Sequence, residues 1–269
     1  MQKIIDAHLH FYQDRYFDAI AQSAGHENSA EHLRGVYRRN HIWHGIVMGN
    51  RELDLERHVY PDFLSYCVGL DDGLSWGLPQ SLPLLEQHLK RRNCVGIKLY
   101  PGYCHYYVSD DIFSPLYELA QAYQKPVAIH TGETAGHLGR LKYSHPLTVD
   151  DAASRFPSVQ FVLCHFGNPW LVDAAAVLAK NENTAADLSG LLEGQVNLGL
   201  FFKQSAGYLA HLQTWLTYAN AFDRLLFGTD WPLVNMDTYI ELIARIIPEQ
   251  YHDAVFFHNA NRIYHLGLV

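Results

Sequence analysis

The chain has 269 residues, 48% of them hydrophobic and 18% charged, with a formal net charge of −8 at pH 7. That length suits one large domain, and the apolar fraction supplies a core and argues against disorder. The acidic balance argues against nucleic acid, whose partners show clustered Lys and Arg, and leaves small-molecule chemistry as the expectation.

Short β-type runs recur at residues 3–7, 42–48, 64–70, 95–99, 127–129, 160–164, 184–188 and 225–228. Between most of them lie segments with helical periodicity, such as 82–92, 114–123, 171–180 and 208–222. Strands that are near-continuous apolar runs, alternating with helices, imply a parallel sheet buried on both faces. Eight such units predict an α/β fold closed as a single (β/α)8 TIM barrel over residues 1–269, a size close to the roughly 250 residues typical of that fold. No glycine-rich dinucleotide fingerprint follows the first strand, which disfavours an open doubly wound sheet. The longest insertions, residues 10–38, 100–113 and 131–149, follow the first, fourth and fifth strands and would crown the mouth of the barrel.

No apolar window of about 18 residues and no basic start before an apolar stretch is found, so neither membrane span nor signal peptide is expected and a cytoplasmic setting is read. Cys67, Cys94, Cys104 and Cys164 lack C-x-x-C spacing and read as free thiols of a reducing compartment. A homo-oligomer is compatible with these features.

The first strand closes on Asp6-Ala7-His8-Leu9-His10, and alternation in a strand places His8 and His10 on one face, where both can grip one ion. With 17 histidines present, about one His-x-His is expected by chance, so the pair gains weight only from the other strand ends. Those ends carry Lys98 in Gly96-Ile97-Lys98-Leu99-Tyr100-Pro101, His130 after Val127-Ala128-Ile129, His165 after Cys164, and Asp230 in Gly228-Thr229-Asp230-Trp231-Pro232. In a barrel these residues converge, and imidazoles with a carboxylate suit Zn²⁺ rather than an all-oxygen Mg²⁺ or Ca²⁺ site. The plainer readings are solvent-facing polar strand ends for His8 and His10, core histidines bonded to carbonyls for His130 and His165, and a turn cap before Pro232 for Asp230. His41, His44 and His58 read as surface or loop residues without a role.

These motifs, with Ile129-His130-Thr131-Gly132-Glu133, Cys164-His165-Phe166-Gly167 and Asp187-Leu188-Ser189-Gly190, resemble the amidohydrolase superfamily nearly end to end. The likeness is closest to its amidohydrolase 2 branch, which includes aminocarboxymuconate-semialdehyde decarboxylase and assorted lactonases. The resemblance implies that His8, His10, His130 and Asp230 hold one divalent ion, expected to be Zn²⁺, and that His165 contacts its water or the substrate. The Lys98 segment also resembles dihydroorotase, where that lysine is carbamylated and bridges two metals. A modified Lys98 would make His165 a ligand of a second ion. The alternative is an unmodified ammonium that binds a substrate carboxylate or pairs with Glu133 or Asp230, and the wider likeness, to the mononuclear branch, favours it.

The chemistry so implied is attack by an acidified water on an acyl carbon, with Asp230 moving the proton and His165 or Lys98 stabilising the oxyanion. Arg140 and Lys142 are candidates for an anionic substrate group. Tyr100, Tyr103, Trp170 and Trp231 are candidate aromatic walls, Asn168 shapes a turn, and Glu133 is read as orienting His130 or contacting substrate. Three functions stay open: hydrolysis of an amide, lactone or ester, non-oxidative decarboxylation of an unsaturated or aromatic acid, and a non-catalytic barrel around a structural ion.

Overall fold

The apolar runs form eight strands: β1 Ile4–Leu9, β2 Ile42–Met48, β3 Leu64–Leu70, β4 Cys94–Leu99, β5 Val127–Ile129, β6 Phe161–Leu163, β7 Thr184–Asp187 and β8 Leu225–Leu226. The computed structural model describes residues 2–50, 53–70 and 74–269. The strands pair in parallel in the order β1 through β8. Beyond β8 the chain continues against β1, with Ala7 N donating to Phe227 O at 2.9 Å, Asp230 N to His8 O at 2.7 Å, and a parallel bridge between Leu9 and Trp231. These bonds close the expected (β/α)8 barrel.

The helices are α1 Arg15–Ser23, α2 Ala30–Arg39, α3 Leu74–Leu89, α4 Ser114–Ala122, α5 Leu147–Arg155, α6 Leu171–Lys180, α7 Leu198–Gln204, α8 Ala206–Ala219, α9 Met236–Ile246 and α10 Asn259–Ile263. Asp14 and Ser29 accept from the Phe17 and His32 amides and so start α1 and α2, which fold the long insertion after β1 into two helices rather than a loop. Among its described residues the β2–β3 connection holds only a short 3₁₀ turn, Leu55–Arg57. No helix is long and apolar enough to cross a membrane among the described residues.

Two cores result. One lies between strands and helices, and the other fills the barrel with Ile5, Ala7, Ile46, Cys67, Val162 and Leu226, closed below by Phe257 and Tyr264 from the C-terminal segment. The bottom is therefore packed, and polar side chains gather at the opposite mouth. Alternation counted from the inward Ala7 would turn His8 outward. A bulge corrects the parity: Asp6 pairs with Gly45 and Leu9 with Val47, so three steps along β1 match two along β2. His8 and His10 thus both face the barrel axis. The strand runs two residues further than the sequence pattern implies, because His8 is fully buried and its polar atoms are met by partners inside the barrel.

Cys67, Cys94 and Cys164 are buried free thiols, as read. His58 lies in a loop, one of the two places read for it, but not at the surface: it is fully buried, stacked on Tyr66 and edge-on to His88. His44 is half-buried in β2, with Nε2 2.8 Å from Ser65 Oγ.

Candidate metal centre

Four imidazoles meet at the mouth, and each has one ring nitrogen fixed by an oxygen that only accepts. His8 Nδ1 donates to Asp187 Oδ2 at 2.8 Å, His10 Nδ1 to Met48 O at 3.1 Å, His130 Nε2 to Glu133 O at 2.9 Å, and His165 Nδ1 to Ser189 O at 3.3 Å. Ser189 Oγ, which donates to Asp187 Oδ1, lies 2.9 Å from the same His165 nitrogen. Because carbonyls and carboxylates accept, those nitrogens carry the protons. The opposite nitrogens, His8 Nε2, His10 Nε2, His130 Nδ1 and His165 Nε2, are left with lone pairs. Burial lowers the pKa of His8 and of His130, and brings His165 down to about 4, all of which keeps the rings neutral.

Those lone pairs converge with one carboxylate. Asp230 Oδ1 lies 3.2 Å from His10 Nε2 and 3.5 Å from His8 Nε2. The edge of a tetrahedron around Zn²⁺, with ligands at about 2.0–2.1 Å, is about 3.3 Å. His8 Nε2 and Asp230 Oδ1 are also buried without a hydrogen-bond partner, the state expected of atoms made for a cation. His130 Nδ1 and His165 Nε2 face each other at 3.2 Å, two lone pairs that repel unless a cation or proton lies between them. The donor set of imidazole nitrogens and one carboxylate therefore fits a Zn²⁺-type ion. His8, His10 and Asp230 form one group with donor atoms within 4.8 Å of one another, and His8, His165 and Asp187 form another. His130 belongs to neither, being 3.2 Å from His165 instead.

Burial alone would raise the Asp230 carboxyl, but His10, His8 and His165 around it act the other way and hold it well below the usual carboxylate range. Asp187 is depressed likewise: burial would raise it, but His8, His165 and Lys98 together outweigh that. The backbone is shaped to deliver these groups: His165 and Asp230 have φ of 61° and 57°, the left-handed region that non-glycine residues rarely enter. Gly190, at φ +66°, passes so close that a Cβ there would sit 2.7 Å from His165 Nδ1 and 3.3 Å from Asp230 Oδ2.

Asp187 and Asp6 carry roles that sequence reasoning did not assign. Asp187 ends β7 as the histidines end their strands, and that position was the available signal. Asp6 accepts from Thr229 N at 2.9 Å, Thr229 Oγ1 at 2.6 Å and Tyr37 OH at 3.1 Å. It thereby ties the end of β8 to β1 and seats Asp230 beside His8.

Lys98 is fully buried, and its Nζ donates to Cys164 Sγ at 2.7 Å and lies over the Tyr100 ring. It makes no ion pair with Glu133 or Asp230 among the described residues, which removes that part of the expectation. A cavity of about 610 Å³ opens above, lined by Lys98, Tyr100, Tyr103, Asn168 and the donor set. Trp231 does not line it: the indole is fully buried against His26. Trp170 packs on His145 instead, while Arg140 and Lys142 are exposed and outside the lining. Tyr16 and Phe17 of α1, unmarked in the sequence, supply aromatic wall in their place. Glu133 orients His130 through its backbone carbonyl, not its carboxylate.

A family model described as "Amidohydrolase" matches residues 5–266. No curated protein matches the sequence. Among solved structures, the barrel is similar to a zinc-bound amidohydrolase from Burkholderia multivorans, with 19% identity, 98% of this chain and 99% of that one covered, and a TM-score of 0.67. It is similar to a structure described as a probable 2-pyrone-4,6-dicarboxylic acid hydrolase from Acinetobacter baumannii, with 15% identity, coverage of 98% and 99%, and a TM-score of 0.66. A third is 5-carboxyvanillate decarboxylase from Sphingomonas paucimobilis, with 14% identity, coverage of 98% and 99%, and a TM-score of 0.63. At these identities the likenesses show the fold.

Proposed function

The chain belongs to the amidohydrolase family, and we propose that it is a metal-dependent hydrolase acting on an amide, lactone or ester carbonyl of a small molecule. The observation that carries this reading is the convergence of His8 Nε2, His10 Nε2 and Asp230 Oδ1, with His8 Nε2 and Asp230 Oδ1 buried and unpartnered, at the base of an open cavity.

His8, His10 and Asp230 would hold one divalent ion, with the His130 lone pair completing the set. When bound, a Zn²⁺-type ion supplies Lewis acidity and an acidified water at neutral pH. Asp230 keeps its second oxygen on the Gly190 side, where it accepts the proton of the attacking water and passes it to the departing nitrogen or oxygen. His165 Nε2 carries no proton in this arrangement, so it acts by accepting rather than by donating to an oxyanion. The Lys98 ammonium is the donor left for that task. Phe17, Tyr100 and Tyr103 hold the substrate and shed water from around it.

One feature supports a second reading. Lys98 lines the cavity with no ion pair among the described residues and offers the counter-charge that a substrate carboxylate needs, so decarboxylation of an unsaturated or aromatic acid is the alternative. The test is a panel of small amides, lactones, esters and unsaturated acids given to zinc-loaded protein, with ring opening, acyl release and carbon dioxide followed separately. Hydrolysis without carbon dioxide, abolished by chelation, supports the first reading. Carbon dioxide release supports the second, and turnover that survives complete chelation contradicts both.

A further inference from the structure

The cavity divides by charge. Among the described residues that line it, Lys98 at the buried end is the one lysine or arginine. At the exposed end stand Glu133, from the loop after β5, and Glu193, from the loop after β7. Neither glutamate takes part in an ion pair among the described residues. Their charges are therefore left for whatever enters. Of the basic side chains in the loop after β5, Arg140 and Lys142 lie outside the lining, and the Lys142 ammonium lies over the Tyr143 ring. Between the two ends the walls are aromatic, from Phe17, Tyr100 and Tyr103.

We infer that the substrate is a flat, ring-sized molecule with at most one carboxylate, carrying at its outer end a cationic or hydrogen-bond-donating group that Glu193 and Glu133 receive. The inference rests on the cavity being the substrate site of the proposed enzyme. An aromatic slot fits a ring face. A single carboxylate finds Lys98 at the inner end, whereas a second one, at the outer end, meets two uncompensated carboxylates and, among the described lining residues, no cation. A dicarboxylate of the kind named for one of the similar structures is thus selected against here. Glu193 acts as a specificity residue by repelling such anions as much as by binding the favoured group.

The test is calorimetric titration of zinc-loaded protein with three unreactive probes of matched ring size: benzoate, 3-(aminomethyl)benzoate and isophthalate. The expected order is 3-(aminomethyl)benzoate tighter than benzoate tighter than isophthalate, with at least about 10-fold between first and last at low salt and a smaller ratio at high salt. In the double variant Glu133→Gln, Glu193→Gln the first and last come within about two-fold. Both positions are exposed, and unchanged thermal melting and zinc content show that the variant is intact. Isophthalate binding as tightly as the amine, no probe binding at all, or a preference that survives in the double variant overturns the inference. Elemental analysis of the same samples separates this from failure of the proposed chemistry: protein that takes up no zinc but keeps the probe order refutes the metal reading and leaves the charge selection standing.

Discussion

His8 and Asp187 are joined by a buried hydrogen bond of 2.8 Å, from the ring Nδ1 to Oδ2, that turns the free His8 Nε2 toward Asp230. The same carboxylate accepts from the His165 amide at 2.9 Å through its other oxygen, so one side chain sets the orientation of ligand candidates on β1 and after β6. Replacing Asp187 by Asn removes the charge and puts an amide donor beside nitrogens that already carry protons. The expected result is zinc affinity lower by about 10–100-fold with the fold retained, read by competition against a chromophoric chelator alongside far-UV circular dichroism.

Lys98 separates a one-ion centre from a two-ion centre. As an ammonium held by Cys164 it holds no ion, so Lys98→Met leaves the zinc content unchanged while weakening benzoate binding by about 10-fold or more. A carbamylated bridging lysine would instead lose one ion per chain in that variant, and intact-mass spectra of the wild type would show the added carbamate.

Gly190→Ala tests how tightly the mouth is built. The new methyl would press on His165 Nδ1 and approach Asp230 Oδ2, in a backbone conformation that costs alanine about 1 kcal/mol or more. Because the contact falls on the site, turnover is expected to drop by more than 10-fold while the melting temperature falls only by a few degrees. A variant with full activity would show that this approach is not close in solution.

The legible and illegible parts of the molecule divide by the physics involved. Strands β2, β3 and β5 and helix α6 have the bounds that the apolar periodicity predicts, because burial on both faces writes itself into composition. The five titratable strand ends were visible for the same reason, as polar residues closing apolar runs. The bulge between Asp6 and Leu9 was not, since a change of parity leaves no mark in residue type. Trp231 misses its expected place in the wall because exposure in a loop depends on what packs over it, here His26 on the indole, and Tyr16, for which nothing was expected, lines the cavity. Asp187 was passed over because its role is to hold another side chain, which only contact geometry displays.

Two histidines away from the centre, His26 buried and His44 half-buried, make stability depend on pH. Burial brings the pKa of His44 down to about 4, and burial with the nearby His32 brings His26 to about 4 as well, against about 6.5 in the unfolded chain. Each is neutral when folded, so its contribution is complete above about pH 6.5 and is lost as pH falls toward 4. Apo protein in chelator is expected to lose on the order of 1 kcal/mol per histidine between pH 7 and 5, a figure reduced for partial exposure. Denaturant midpoints across that range, with His44→Gln flattening the slope, provide the check.

The most direct test of the account is the zinc content of exhaustively dialysed protein, wild type beside Asp230→Asn and His10→Ala. The arrangement of lone pairs around Asp230 Oδ1 predicts one equivalent per chain in the wild type and essentially none in either variant. A wild-type protein that retains no divalent ion when loaded, or variants that keep the full equivalent, would contradict it.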